Sequence, residues 1–247
     1  MDRLDYLKRD SFFSGVTEGN VGTERIINML NVVNDKLVIE EKGIYSIEKF
    51  LIARRLMYWQ VYLHKTVVSA ENMLIKVLNR AKMLILNHKK IFATPALKKF
   101  LENNYSTKDF AKIPSLLNDF AELDDVDIYT CLKEWKKSQD FVLSNLSKRI
   151  INRNLLKIKI LKEPISTKEI NKQINIFCKQ HKCSLEEAKF FIFSYEISNS
   201  TYNIEESNIN ILMKNGEVID ITSASDQFNI EALNKTVKKH FICYVEN

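Results

Sequence analysis

No glycine or proline occurs between Gly43 and Pro95, and this gap constrains the fold more than any other feature of the sequence. Both residues punctuate a backbone, glycine by visiting positive φ and proline by fixing φ and removing a donor. The whole chain of 247 residues holds only 5 Gly and 3 Pro, which favours long helices over a turn-rich β fold. Ser46 opens a helical pattern in which about 40 residues cover ~60 Å. A bend is expected near Lys65–Val68, where β-branched Thr66, Val67 and Val68 weaken helix propensity. Gly15, Gly19, Gly22 and Gly43 all precede residue 44, so irregular backbone concentrates near the N-terminus.

Periodicity places a first helix over 2–12, with Leu4, Leu7 and Phe12–Phe13 on its apolar side. The glycines break it, and Thr23 is expected to cap a second helix running through Asn31. Val32 to Ile39 reads as a β-hairpin, two β-branched runs across Asn34-Asp35. After the long helix, shorter ones are expected over 96–104, 107–121, 126–137 and 139–151. Asp124, Asp125 and Asp127 supply a cap and first-turn acids to the third of these.

The character changes after Asn154. Leu156 to Ile160 alternates as a strand does, Pro164 marks a boundary, and Ser166 or Thr167 caps a helix to about His181. Residues 190–197, 209–213, 218–222 and 241–245 are strand candidates, and Asn215-Gly216 is a hairpin turn. The fold class is therefore mainly α, a helical body with a β-hairpin over 1–150, followed by a small α+β appendage over 151–247.

Hydrophobic residues make up 45% and charged residues 28%, the balance of a globular chain rather than a disordered one. The net charge of +6 suits anionic partners, nucleic acid among them, although Lys-rich helical proteins also reach it without one. Cys178 and Cys183 flank His181 but lack a second ligand pair, so reduced thiols are expected rather than a zinc site. No run reaches the ~18 apolar residues of a membrane span, and the first residues lack a signal peptide's apolar core. A cytoplasmic protein without membrane partners is the expectation.

Two helical faces have the composition of a binding site. Asp2, Tyr6 and Asp10 fall at i, i+4 and i+8 on one face, flanked by Arg3 and Arg9. Such a row offers a metal or water ligand, a ring to pack on a sugar and an acceptor for hydroxyls. A solvated polar stripe has the same composition. On the long helix Arg54, Tyr58 and Tyr62 share a face, with Lys65 a turn further on and His64 at its edge. Arginine and lysine hold phosphate as a fork and a point charge, and tyrosine adds a neutral donor. The same aromatics could serve as core residues with their hydroxyls tied off.

Together these stretches resemble the HD-domain deoxynucleoside triphosphate triphosphohydrolases. Asp2 to Asp10 is similar to that family's D-R/K-x-D-Y-x-x-R-D segment, and Arg54 to Lys65 to its R-x7-Y-x-H-K segment. Arg153-Asn154-Leu155-Leu156-Lys157 resembles its R-N-L-F/L/Y-K strand start. The likeness spans about residues 1–160. It implies a partial HD-domain helical fold, with Asp2 as the last of four metal ligands. Arg3, Tyr6 and Asp10 would contact the nucleotide, Arg54 its phosphates, and Tyr62, with His64 and Lys65, the substrate pocket. Arg25, Lys42, Arg153 and Lys157 would bind a regulatory nucleotide such as GTP or a dNTP.

The resemblance also implies a divalent ion (Mg, Mn, Fe or similar) held by a His, a His-Asp pair and the later Asp. Here His64, His88, His181 and His240 are followed by Lys, Lys, Lys and Phe, and no His-Asp dipeptide occurs. One carboxylate does not hold a hydrolytic ion. The expectation is a C-terminal portion of such a phosphohydrolase, turning dNTP into deoxynucleoside and triphosphate. By itself it would be inactive and hold no metal, and it would act as a homo-oligomer or with the missing N-terminal half. The alternatives are a non-catalytic nucleotide-binding module regulating a full-length partner and, more weakly, a nucleic-acid-binding protein.

Overall fold

The computed structural model describes residues 2–199, 208–225 and 237–246, and among them the chain is mainly helical with short strands. Helices α1 (Asp2–Ser14) and α2 (Thr23–Ile27) precede strands β1 (Leu30–Val33) and β2 (Lys36–Glu40). Helix α3 (Ile44–Met57) runs into a π-helical turn at Tyr58–Tyr62, and α4 covers Lys65–Leu86. Then come α5 (Pro95–Glu102), α6 (Thr107–Lys112), α7 (Pro114–Ala121), α8 (Asp125–Trp135) and α9 (Phe141–Ile151). Strand β3 (Lys157–Leu161), α10 (Thr167–His181), α11 (Leu185–Ala188) and β4 (Phe193–Asn199) follow. Last are β5 (Asn210–Leu212), β6 (Val218–Asp220), α12 (Ile221–Ala224) and β7 (Val237–Tyr244).

The chain forms two compact units that interleave in sequence. The first comprises Met1–Val67 with Glu196–Lys239, the second Val68–Tyr195 with His240–Asn247. Residues 151–247 thus contribute to both.

In the first unit the sheet order is β1-β2-β5-β6, with β1 and β5 antiparallel to their hairpin partners and β2 parallel to β5. Asn34 and Asp35 turn the first hairpin at φ of 50° and 57°, the left-handed pair that a two-residue turn needs. Gly216 turns the second at φ 87°. Leu4 and Leu7 of α1, Ile47, Phe50, Leu51 and Met57 of α3, and Ile39, Ile211 and Ile221 form the core.

In the second unit Met73, Val77 and Ala81 recur every fourth residue along α4 and are fully buried. Burying side chains the size of Met and Val stabilises the unit by about 1.5–3 kcal/mol each. They pack with Leu132 and Trp135 of α8, Val142, Leu143 and Leu146 of α9, and Ile174 and Phe177 of α10. The Trp135 indole N–H donates to the Phe92 carbonyl at 2.7 Å. Arg80 grips Asp140 through two bonds of 3.0 and 2.6 Å, and Asp140 also caps α9 by accepting from Leu143 N–H. The second sheet runs β3-β7-β4. All four cysteines are free thiols.

Four local expectations differ from the structure. Gly22 rather than Thr23 occupies the cap of α2, whose helix ends at Ile27, while the Thr23 hydroxyl donates to the Val21 carbonyl. The long helix breaks at Leu63–His64, just before the β-branched run, because the π turn has already shifted its register there. Pro114 divides the helix expected over 107–121, since it lacks the N–H needed to continue one and suits the first turn of the next. The strand from Val218 stops at Asp220, whose carboxylate accepts from Thr222 N–H and starts a helical turn instead.

Candidate substrate site

Helix α1 begins with Asp2 and Asp5 in its first turn, where carboxylates favour the helix dipole. Its buried side is Leu4, Leu7 and Ser11. This orientation leaves Asp2 exposed and sets Tyr6 and Asp10 half-buried beside the core. Loop 15–22 returns against α1, where Ser11 donates to the Val16 carbonyl at 2.7 Å. It approaches so closely at Gly19 that an added Cβ would lie 2.7 Å from Ser11 Cβ and 2.8 Å from Met57 Sδ. The glycine therefore lets α1 and the end of α3 share one contact.

Beyond Met57 the helix widens. Leu63 N–H donates to the Tyr58 carbonyl five residues back, at 2.7 Å. π turns insert one residue into a helix and are frequent at functional sites. Here the turn carries Tyr62 to α1, where its hydroxyl donates to Asp10 Oδ2 at 2.6 Å. The Tyr62 ring meets Tyr6 edge-on with centroids 6.1 Å apart, and Tyr58 with centroids 5.2 Å apart. The Arg54 guanidinium carbon lies 5.4 Å from the Tyr58 ring centre. Gln60, in the same turn, donates to Glu18 at 3.0 Å and ties the turn to the loop.

The electrostatics follow from this packing. Burial pushes the Tyr62 phenol well above its ordinary range, and the hydrogen bond and charge of Asp10 push it further. Tyr62 is therefore a proton donor at every physiological pH. The Gln60 amide, with smaller help from backbone and Thr17 donors, holds the Glu18 carboxyl below the ordinary range. A carboxylate fixed by one donor keeps acceptor capacity for a ligand hydroxyl. Around the Asp10–Tyr62 pair stand the Tyr6 and Tyr58 rings and, over the Tyr58 ring, the Arg54 guanidinium, a set suited to a sugar and a phosphate.

Of the residues singled out in sequence, Tyr6, Asp10, Arg54 and Tyr62 come together. Arg3 is exposed on α1. His64 is exposed, and its Nδ1 accepts from Thr66 N–H at 3.3 Å, the geometry of a cap for α4. Lys65 is the exposed first residue of that helix. The four residues matched to a regulatory nucleotide have structural partners or postures. Arg25 Nε donates to Ser46 at 3.3 Å, Lys42 pairs with Glu40 at 2.7 Å, and Lys157 pairs with Glu246 at 2.9 Å. Arg153 adopts φ 54° at the end of α9, where Asn154 N–H returns to the Arg149 carbonyl. This is a Schellman cap.

Tyr58 joins Tyr6, Asp10, Arg54 and Tyr62 as the sequence strip placed it, while Gln60, Glu18 and Gly19 also adjoin the site and sequence reasoning did not assign them to it. The only signal was the clustering of glycines over 15–22. Asp2 is the single residue matched to a metal ligand. Among the described residues no group of three His, Cys, Asp or Glu is placed to hold an ion. The donors present do not fit a hydrolytic divalent ion. Nor, among the described residues, is any helix long and apolar enough to cross a membrane.

Residues 21–94 match the family model of the HD associated region. Over 154 residues the chain is 35% identical to the uncharacterized protein YwfO of Bacillus subtilis, covering 62% of this chain and 34% of that protein. Over 223 residues it is 28% identical to the uncharacterized protein MJ1154 of Methanocaldococcus jannaschii, covering 87% of this chain and 42% of that protein. A crystal structure of a phosphohydrolase from Bacteroides thetaiotaomicron is similar with a TM-score of 0.89 and 49% identity, covering 99% of this chain and 61% of that one. The chain thus spans well under half the length of these two curated relatives. Together the likenesses support an HD-type family for it.

Proposed function

We propose that this chain forms the sugar- and phosphate-binding part of an HD-type phosphohydrolase acting on deoxynucleoside triphosphates. The observation that carries this reading is the Tyr62–Asp10 hydrogen bond, walled by Tyr6 and Tyr58 and adjoined by Arg54. Asp10 accepts from a sugar hydroxyl, the Tyr6 edge packs on the sugar, and Arg54 with Arg3 holds phosphate. The phosphohydrolase from Bacteroides supports the reaction class. HD-type enzymes generally use a divalent metal, which would supply the hydrolytic water. Asp2 alone does not fit one, so hydrolysis requires a His…His-Asp set that this sequence lacks.

Calorimetry with dATP and dGTP tests the reading. Wild type is expected to bind at least one of them, and Asp10→Ala to weaken that binding at least tenfold. An affinity unchanged by Asp10→Ala overturns it. The chain alone is expected to release no triphosphate from dNTP. A role as a non-catalytic regulatory module would rest on Arg25, Lys42, Arg153 and Lys157. Lys42 and Lys157 already spend their charge on Glu40 and Glu246, which favours the substrate-site reading.

A further inference from the structure

The positive charge of this protein does not reside with the proposed nucleotide site. The first unit carries 14 Lys and Arg against 16 Asp and Glu, whereas the second carries 23 against 15. Within residues 151–195 of the second unit the ratio is 9 to 4. Helix α10 lies in this stretch and displays the surplus in an ordered way.

Ile174 and Phe177 turn one side of α10 into the core. At 100° per residue, Lys168, Lys172, Asn175 and Lys179 fall within about 60° of arc on the opposite side. All four are exposed. Together with Asn171 and Ile176 they line a shallow depression of about 500 Å³. Lys168, Lys172 and Lys179 make no ion pair among the described residues, unlike Lys98, Lys99, Lys157 and Lys189 of the same unit. The acid of the helix, Glu169, stands off this sector and accepts from Gln173. Like charges four residues apart, such as Lys168 and Lys172, oppose helix formation, and an anion laid along the face would relieve that repulsion.

We propose that this face of α10 docks nucleic acid through its phosphodiester backbone, without regard to sequence. The lysines from Lys168 to Lys179 extend along about 17 Å of helix, a length that meets several successive phosphates. Asn171 and Asn175 add neutral donors and acceptors suited to phosphate and sugar oxygens. An acidic membrane surface fits less well, because Ile176 is the sole apolar side chain lining the depression and none is placed to insert.

The test is fluorescence anisotropy of the full chain with a labelled 30-nucleotide single strand and its duplex, from 50 to 200 mM salt. The three lysines should release counterions from about three phosphates, giving their share of the slope of log K against log salt as about −2 to −3. Substituting Lys168→Gln, Lys172→Gln and Lys179→Gln together should flatten the slope by about that amount and weaken binding at 50 mM at least tenfold. Far-UV circular dichroism should be unchanged, since all three are exposed. Changing Lys89, Lys90 and Lys137 to Gln, a second basic group around a hollow of the same unit, should have a much smaller effect. Absence of binding overturns the proposal. So does an α10 triple variant with wild-type affinity and slope, or binding to phosphatidylserine vesicles but not to either oligonucleotide.

Discussion

Replacing Tyr62 with Phe keeps the ring and its two edge contacts and deletes only the hydroxyl that Asp10 accepts. The 2.6 Å separation lies in the range of charge-assisted O–H···O bonds. Hydrogen bonds to charged groups contribute about 1.5–3 kcal/mol. Both side chains are half-buried, so water replaces part of the loss, and the expected destabilisation is about 1–2 kcal/mol. Urea unfolding of wild type, Tyr62→Phe, Asp10→Asn and the double variant should give a coupling of at least about 1 kcal/mol. The phenol supplies a second readout. Its folded pKa is raised above the ordinary value of about 10. The bond's contribution is therefore complete below that pH and is lost as pH rises through the higher folded value. Among the described residues, ultraviolet titration should show two late phenols, Tyr62 and Tyr195, the latter raised by burial and then by the neighbouring Cys243 and Glu71. Tyr62→Phe should remove one of them. A coupling within the ~0.3–0.5 kcal/mol scatter of independent sites, together with two late phenols persisting in the variant, would refute the assignment.

Two other perturbations probe how the units are held. Gly19→Ala puts a methyl group against Ser11 Cβ and Met57; the Met side chain can yield, but the Cβ on α1 cannot move without the helix. Overpacking of this kind costs about 1–3 kcal/mol, read as a lower urea midpoint, and the displaced α1 should weaken dATP binding. In the second unit, burial raises the Asp140 carboxyl, but Arg80 and the N–H groups of Leu143 and Val142 outweigh this and hold it below the ordinary range. Its stabilisation is complete above the ordinary carboxylate value of about 3.9 and is lost as pH falls through the lower folded value. Asp140→Asn removes the charged fork from Arg80, a side chain 16% exposed, and leaves it the longer pair with Glu187 at 3.9 Å. Denaturation at pH 7 should therefore show a loss of about 3 kcal/mol, and below about pH 4 the variant should be less sensitive to acid than wild type.

Much of this architecture is local and was legible for that reason. The Asn34-Asp35 turn lies within its own hairpin, because positive φ at two adjacent residues is a short-range steric property. The helical stretch that contains α4 follows from the absence of glycine and proline between Gly43 and Pro95. The Asp2–Tyr6–Asp10 row and the Arg54–Tyr58–Tyr62 strip were each visible, since spacing within one helix fixes which residues share a face. That the two belong to one site was suggested only by resemblance. Their contact spans 52 residues and depends on a π turn whose extra residue leaves no mark in the hydrophobic pattern.

Other features depended on contacts that no local rule encodes. Residues 151–247 look like a separate appendage by composition, yet β5 adds to β2 in parallel, pairing Ile39 with Ile211, while β7 pairs with β3 in the other unit. Lys42, Lys157 and His64 had the right chemistry for a ligand, and tertiary neighbours gave them an ion partner or a helix to cap. By itself the sequence determined most of the helices, the hairpin turns and the two candidate faces, because periodicity and turn sterics act over a few residues. Only the tertiary structure decided that Tyr62 reaches Asp10, that Gly19 lets α1 close on α3, and that the positive charge gathers on the second of the two units. Those outcomes require segments far apart in the chain to exclude water from the same space.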